Sequence, residues 1–234
     1  FLKAQGLAGK PVADIRIDGA GKKVTRSDNC RVSDLSVSSD NLTFTYEAKS
    51  LPYPIDTSYY DNEKHTQADA LSVIPFMDEM NYEGLSVSGL LDGYYGLTIG
   101  GEFIGRFTAR ELERGINMAL LQNTPQYKQA MKIRQMNEER WLKERKMREF
   151  YWVEYNLMRK TGMLWACDEA AVDTLRKYRP HDIFLQWNGA LWLQYMHKGI
   201  REDCVNEQQD LVNRIYEQNK PIPLRIEIKK FTDL

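Results

Sequence analysis

The spacing of apolar residues in this 234-residue chain changes at about residue 107, and that change limits the possible folds more than any other feature. Before this point apolar side chains alternate with polar ones, as they do in β-strands. After it they recur every three or four residues, as they do in helices. A sequence patterned for one element does not pack stably as the other. Strands followed by helices therefore predict an α+β fold.

The first half of the chain carries short alternating segments separated by turn-forming residues. Ala13, Ile15 and Ile17 share one face of the first segment, and the turn letters SSDN join the second and third into a hairpin. We expect a small antiparallel sheet or sandwich whose strands lie at 12–18, 30–37, 41–48, 84–90, 94–100 and 102–107. Three prolines within residues 49–81 predict an irregular surface excursion there instead of a central strand.

The second half of the chain carries helix start signals. Thr108 and Glu111 form a capping box, and apolar residues at positions 112, 116, 119 and 120 predict that the helix continues to about residue 120. Thr124 and Pro125 predict the start of a long helix over about 126–160. Further helices are expected at 168–178 and 202–219, followed by a strand at 223–231 that can return to the first-half sheet. We expect a β-rich region over 1–107 and a helical region over 108–234, which can form one structural unit.

Composition excludes several classes of protein. The 32 Lys and Arg residues against 33 Asp and Glu residues give a net charge of −1, which argues against a nucleic-acid partner because phosphate binding needs excess basic residues. The chain has no run of 18 apolar residues, so no membrane span is predicted. Cys30, Cys167 and Cys204 are far apart and form no Cys-x-x-Cys pair, so neither a zinc site nor a disulfide framework is indicated. No metal site and no cofactor are expected.

The sequence offers no convincing catalytic nucleophile. Ser86 in "GLSVS" continues an alternating strand and does not occupy the strand-to-helix turn that exposes a hydrolase serine. His65, His181 and His197 have no second histidine at metal-ligand spacing. We therefore predict no catalytic residue in this chain.

Aromatic residues are the remaining candidates for a binding site. Trp152, Trp187 and Trp192 lie in two segments rich in aromatic residues, and exposed rings of this kind stack on sugars whereas buried ones form core. His181 is a further candidate because Asp182 and the neighbouring aromatic run can wall a pocket. The sequence leaves open which of these rings are exposed.

The first residues resemble the end of a helix. Residues 1–5 have the composition of a last helical turn, Gly6 suits the position after a helix, and Pro11 follows as a stop. This pattern leads us to expect that the chain continues a longer protein.

The segment "GLLDGYYGLTIGGEFIGRFTARELERGINMALLQNTPQYKQA" at 89–130 resembles a stretch downstream of the catalytic domain in secreted bacterial SGNH/GDSL-type hydrolases. Asn117 is expected to be a buried amide that holds its helix against the hairpin, and Gly115 to allow close approach of the helix to the sheet. The motif positions are Gly93, Tyr95, Gly105, Phe107, Thr108, Glu111, Gly115, Asn117, Thr124 and Pro125.

This resemblance implies a role without catalysis. The family's Gly-Asp-Ser and Asp-x-x-His motifs do not occur here. The chain would be the C-terminal portion of a periplasmic or secreted esterase that acts on acylated carbohydrate. It would complete the fold and line the substrate cleft, with an upstream SGNH catalytic domain of the same gene product as its partner, and it would be inactive alone. The alternative is an independent carbohydrate-binding or protein-interaction module.

Overall fold

A computed structural model describes residues 4–6, 9–58 and 64–231 of the chain, and within them it has the predicted α+β fold. The strands are β1 Ala13–Asp18, β2 Lys23–Asp28, β3 Cys30–Val37, β4 Asn41–Ala48, β5 Glu83–Ser88, β6 Tyr94–Ile99, β7 Glu102–Thr108, β8 Ile116–Asn117 and β9 Leu224–Lys230. The helices are α1 Phe76–Glu79, α2 Ala109–Arg114, α3 Pro125–Val153, α4 Glu169–Tyr178, α5 Ile183–Tyr195 and α6 Lys198–Gln218. A π-helical turn, Glu154–Met158, follows α3.

The chain divides into two compact units. The sheet unit contains residues 1–133 together with 218–234, and the helical unit contains residues 134–217. The boundary between residues 133 and 134 lies within α3, whose first turns belong to the sheet unit. It is later in the chain than residue 107, where the apolar pattern changes.

The sheet unit contains two sheets. In the four-stranded sheet the strand order is β2-β1-β5-β8, and β1 pairs with β5 in parallel, which departs from the expected antiparallel arrangement. The five-stranded sheet has the order β3-β4-β9-β6-β7, and every neighbouring pair in it is antiparallel. The prediction that the final strand returns to the sheet is confirmed, since β9 lies between β4 and β6.

Apolar faces of both sheets form one core, as expected for a sandwich. The predicted alternation in β1 is confirmed, because Ala13, Ile15 and Ile17 are all buried. Phe44 from β4 and Leu97 from β6 belong to the same core and are fully buried. Hydrophobic burial is therefore the main force that joins the sheets.

A buried carboxyl group lies within this core. Glu83 of β5 accepts hydrogen bonds at Oε1 from the Tyr46 hydroxyl (2.8 Å) and from Nε2 of Gln126 (3.2 Å). Burial raises the pKa of Glu83 to about 7, although the two hydrogen bonds act in the opposite direction. Its Oε2 atom has no hydrogen-bond partner among the described residues. A protonated Glu83 avoids placing an uncompensated charge in the core.

The predicted helix from residue 108 to about 120 is wrong beyond Arg114. Gly115 has φ +95°, which ends α2, and Ile116 then pairs with Leu85 as part of β8. Asn117 is consequently a strand residue and does not lie in a helix. Its Oδ1 accepts the Glu83 backbone N–H (2.9 Å) and its Nδ2 donates to the Met77 carbonyl (3.0 Å). Apolar residues keep a helical spacing after residue 114, but the positive φ of Gly115 ends the helix and Ile116 pairs with a strand.

Other motif residues serve turns and caps. The capping box is confirmed: Thr108 Oγ1 accepts the Glu111 backbone N–H (3.2 Å), and the Glu111 carboxylate accepts the Thr108 N–H (2.7 Å). Thr124 Oγ1 accepts the Tyr127 N–H (3.3 Å) at the start of α3, whose first residue is Pro125 as predicted. The remaining motif positions are Gly93 at φ +142° before β6, the buried Tyr95 in β6, and Gly105 and Phe107 in β7.

A second buried carboxyl group organises the helical unit. Glu154, in the π-helical turn, is 1% exposed. One of its carboxyl oxygens accepts the Trp192 indole N–H (2.8 Å) and the other accepts the Trp165 backbone N–H (2.9 Å). Phe150 and Leu157 lie in the apolar core around it. Glu154 thus connects the end of α3 to α5 and to the loop before α4.

Two predictions fall partly outside the described residues. The surface excursion at 49–81 includes 59–63, which lie outside them, and its described part holds a short 3₁₀ helix, Asp69–Ser72, and α1. Of the expected helix end at residues 1–5, only residues 4 and 5 are described, and Gly6 has φ +70°.

Replacing Glu83 by Gln should remove a pH dependence of stability. The unfolded chain releases the Glu83 proton near pH 4.5, whereas the folded chain keeps it until about pH 7. The free energy of unfolding therefore falls as the pH rises through this interval, by about 3 kcal/mol in total. Urea unfolding at about pH 5 and about pH 8 measures this loss, which we expect to disappear in Glu83→Gln.

Glu113→Gln is the matched control, because Glu113 is an exposed glutamate on α2. It should lose the same stability between the two pH values as the unsubstituted chain. An equal loss in Glu83→Gln would show that Glu83 does not titrate in this interval.

Trp192 and Trp187 should differ sharply in their contribution to stability, although both lie on α5. Trp192 is fully buried, and Trp192→Phe leaves an oxygen of Glu154 unpaired, which should cost about 2–4 kcal/mol. Trp187 is 65% exposed, and Trp187→Phe should change stability by less than about 0.5 kcal/mol. Chemical denaturation followed by circular dichroism compares them, and equal costs would contradict the role of the Glu154 contact.

Candidate ligand-binding site

The structure separates the four residues predicted to bind a ligand. Trp152 and His181 line the same cavity in the helical unit. Trp192 is fully buried and belongs to the core, and Trp187 is exposed and contacts Phe184 (ring centroids 5.5 Å apart). Of the predicted set, therefore, only Trp152 and His181 lie at one site.

The cavity that contains Trp152 and His181 has a volume of about 380 Å³, within the range of small-molecule sites. Apolar and polar side chains contribute to its wall in similar measure. They are Trp152, Asn156, Leu157, Lys160, Thr161, Tyr178, His181, Asp182 and Leu185.

Several local structures position these side chains. Trp152 lies at the end of α3, where its ring contacts Phe184 (centroids 5.3 Å apart), and Tyr178 is the last residue of α4. His181 lies on the 3₁₀ turn Arg179–His181, which a proline stiffens. Asp182 is the N-cap of α5, because its Oδ1 accepts the backbone N–H groups of Phe184 (2.8 Å) and Leu185 (3.2 Å). These contacts fix the cavity wall between three helices.

The polar groups of the cavity favour a ligand with acceptor atoms. The side chains of Lys160 and His181 make no hydrogen bond or ion pair with another described residue. The Thr161 hydroxyl instead donates to the Leu157 carbonyl (3.0 Å) and the Asn156 amide donates to the Trp152 carbonyl (2.9 Å). A ligand whose aromatic ring lies against Trp152 and whose acceptor oxygen lies near Lys160 and His181 would match this arrangement of side chains.

The contacts of His181 and His197 bear on whether either could serve as the base of a hydrolase. A serine or cysteine nucleophile needs a base within hydrogen-bond reach. In the part of the chain that the structure describes, the side chains of His181 and His197 bond to no serine, cysteine or carboxyl group. The Asp182 carboxyl group, next to His181, is occupied by the α5 N-cap.

The described ranges were also searched for clusters of metal-ligating side chains and for membrane-spanning helices. They contain no group of three His, Cys, Asp or Glu side chains placed to hold a metal ion. No helix within them combines the length and the apolar character needed to cross a bilayer.

Sequence reasoning missed the two buried glutamates that organise the two units. Glu83 lies on the same face of β5 as the buried residues Leu85 and Val87, so the apolar face of this strand carries a carboxyl group. Glu154 lies four residues after the buried Phe150, on the apolar side of its helix. An acidic residue in phase with a buried stripe is the signal that could have identified both.

Comparisons with known proteins are informative for both units. Residues 131–220 match the family model of the diltiazem deacetylase C-terminal helical domain. The solved structure of a gut microbial diltiazem-metabolizing enzyme is similar over 99% of this chain, with 37% sequence identity and a TM-score of 0.90. The match covers 52% of that enzyme, so the chain spans about half of its length. No curated protein matches the sequence.

These findings overturn the expected resemblance to SGNH/GDSL-type hydrolases, and neither supports an SGNH identity for the expected partner domain. The segment 89–130 consists largely of a hairpin, a capping box and a helix start, and elements of this kind occur in many families. Neither comparison links the chain to carbohydrate, and the periplasmic or secreted location stays a prediction. The helical unit is similar to the C-terminal helical domain of a deacetylase.

Proposed function

We propose that this chain is the non-catalytic C-terminal part of an esterase-like deacetylase that acts on small acylated molecules. The likeness over 99% of the chain to half of a diltiazem-metabolizing enzyme, at 37% identity, carries this proposal. A shared fold alone does not determine chemistry. The match of residues 131–220 to a deacetylase domain adds support that does not depend on the sheet unit.

The contacts of the described residues support a role without catalysis. Serine-type hydrolases join a nucleophile, a histidine and an acid by hydrogen bonds. His181 and His197 have no such partners in the described ranges, and Asp182 serves as a helix cap. We therefore assign the acyl-transfer residues to a part of the enzyme other than this chain.

The cavity of Trp152 and His181 supports a role of the helical unit in substrate binding. We infer that an aromatic ring of the substrate lies against Trp152, while an acceptor oxygen points toward Lys160 and His181. Aromatic contacts and a few placed donors are the usual means by which small-molecule sites orient their ligands. The alternative of an independent carbohydrate-binding or protein-interaction module stays a prediction.

A chimeric enzyme tests the proposed role. We expect the 234-residue chain alone to release no acetate from diltiazem above the uncatalysed rate. When the chain replaces the matching half of the diltiazem-metabolizing enzyme, the chimera should release acetate, because this half completes the fold around a catalytic site supplied by the other half. Chromatography of the products measures both reactions.

The remaining half of that enzyme, purified without a replacement, is the control and should be inactive. Turnover by the isolated chain at the rate of the chimera would disprove the non-catalytic assignment. A folded and inactive chimera would disprove the equivalence of the two halves.

Substitutions in the cavity should affect binding more than turnover. In the chimera, Trp152→Ala and His181→Ala should each raise KM by about fivefold, which corresponds to about 1 kcal/mol, and leave kcat within about twofold. Trp141 on α3 and His197 after α5 lie outside the cavity, so Trp141→Ala and His197→Ala are the matched controls. A fall in kcat with KM unchanged would contradict a binding role.

A further inference from the structure

Two buried oxygen atoms in the core of the sheet unit lack a hydrogen-bond donor, and they belong to side chains that already contact each other. They are Oε2 of Glu83 and Oε1 of Gln126, and neither has a donor among the described residues. The two side chains are joined by the 3.2 Å hydrogen bond from Gln126 Nε2 to Glu83 Oε1. Glu83 is 0% exposed and Gln126 is 4% exposed, and buried acceptors at such positions are normally satisfied.

A proton on Glu83 supplies the donor that both atoms lack. A carboxylate only accepts hydrogen bonds, whereas a carboxylic acid also donates one. A carboxylic acid and a carboxamide can therefore form two hydrogen bonds with each other: the amide N–H donates to one carboxyl oxygen, and the carboxyl O–H donates to the amide oxygen. The first of these bonds is present, and the second uses the two atoms that have no partner.

The groups that face Glu83 favour its protonated form. From β4 the Tyr46 hydroxyl donates to Oε1 (2.8 Å), and the Cys30 thiol of β3 lies near Tyr46. Burial raises the pKa of Tyr46 and the pKa of Cys30, so both groups are neutral where Glu83 titrates. The residue opposite Glu83 in β1 is Ala13, and α3 contributes the uncharged Gln126. No lysine, arginine or second carboxyl side chain in the described ranges bonds to Glu83, so an ionised form has no compensating charge.

Of the two side chains that donate to Glu83, Gln126 is the one that can move away. Tyr46 lies in β4, which pairs with β3 on one side and with β9 on the other. Gln126 lies in the first turn of α3, where backbone N–H groups have no partner inside the helix. Helix ends open at a lower free-energy cost than strands in the middle of a sheet. Water therefore reaches an ionised Glu83 most readily through the start of α3.

We propose that Glu83 and Gln126 form a proton-dependent latch between β5 and the start of α3. At mildly acidic pH the carboxyl group of Glu83 is protonated and donates from Oε2 to Oε1 of Gln126, so two hydrogen bonds hold the first turn of the helix. Release of this proton to solvent removes one of the bonds and leaves a charge in the core. The first turn of α3 then opens more readily and hydrates the carboxylate, while the sheets stay paired. The latch does not depend on the deacetylase role.

Infrared difference spectroscopy on the full 234-residue chain tests the protonated pair. The spectrum of the unsubstituted chain minus that of Glu83→Gln should show the C=O band of one carboxylic acid at about pH 6 and lose it at about pH 9. Glu113→Gln, at an exposed position of α2, should give no such band at either pH. A carboxylate bridged to Gln126 by water would give no acid band at about pH 6 and would overturn the proposal.

Hydrogen exchange tests the latch. After correction for intrinsic exchange rates, backbone amides of residues 124–130 should open about tenfold more often at about pH 9 than at about pH 6. Those of α2 and β4 should be unchanged. Glu83→Gln keeps an N–H donor for Gln126 and should abolish the pH effect, because its amide does not titrate.

Gln126→Met removes the other partner of the latch. The first turn of α3 should then open equally often at both pH values, because the proton on Glu83 no longer has an acceptor on this helix. A pH effect that persists in Gln126→Met would contradict the role of Gln126. Equal loss of protection in α2, β4 and the start of α3 would show that the sheet unit opens as a whole, and the latch would be disproved.

Discussion

Hydrophobic burial holds the two sheets together, and the hydrogen bond between the Tyr46 hydroxyl and the Glu83 carboxyl fixes how they are placed. It joins the two sheets through polar atoms at the centre of an apolar core. Apolar packing is not directional, whereas hydrogen bonds specify both distance and angle. Gln126, in the first turn of α3, donates to the same carboxyl oxygen and so fixes the start of that helix. A buried acid costs desolvation energy, and the sheet unit offsets it with contacts that set the position of three elements.

In the helical unit, too, a buried carboxyl group joins separate elements by hydrogen bonds. Glu154 binds the indole N–H of Trp192 and the backbone N–H of Trp165, so one carboxyl group fixes a core residue and a half-exposed one. The π-helical turn that contains Glu154 interrupts the regular ladder at the end of α3, and such turns are frequent at functional positions. The position of Trp165 thus depends on the core behind it.

Local features of this fold could be predicted from the sequence, and tertiary ones could not. The alternating strands and the Thr108 capping box depend on neighbours in the chain, and both are found where they were predicted, whereas β2 and the short β8 were not predicted. The exposure of Trp187 and the burial of Trp192 depend on which elements pack against α5, so their spacing in one helix could not distinguish them. His181 and Trp152 line the same cavity, but the sequence gave no means of linking the two, and the role of His181 in a binding site stays a prediction.

The position of β9 has a consequence for biosynthesis. Residues 224–230 hydrogen-bond on one side to β4 and on the other to β6, so the central strand of the five-stranded sheet is the last one to be translated. Until it emerges from the ribosome, the hairpins β3–β4 and β6–β7 have no strand to connect them, and each exposes an unpaired edge. Closing this sheet joins residues more than about 100 positions apart, a slow step by topology. The nascent chain is therefore vulnerable to aggregation, and to chaperone capture, until residues 224–230 have been synthesised.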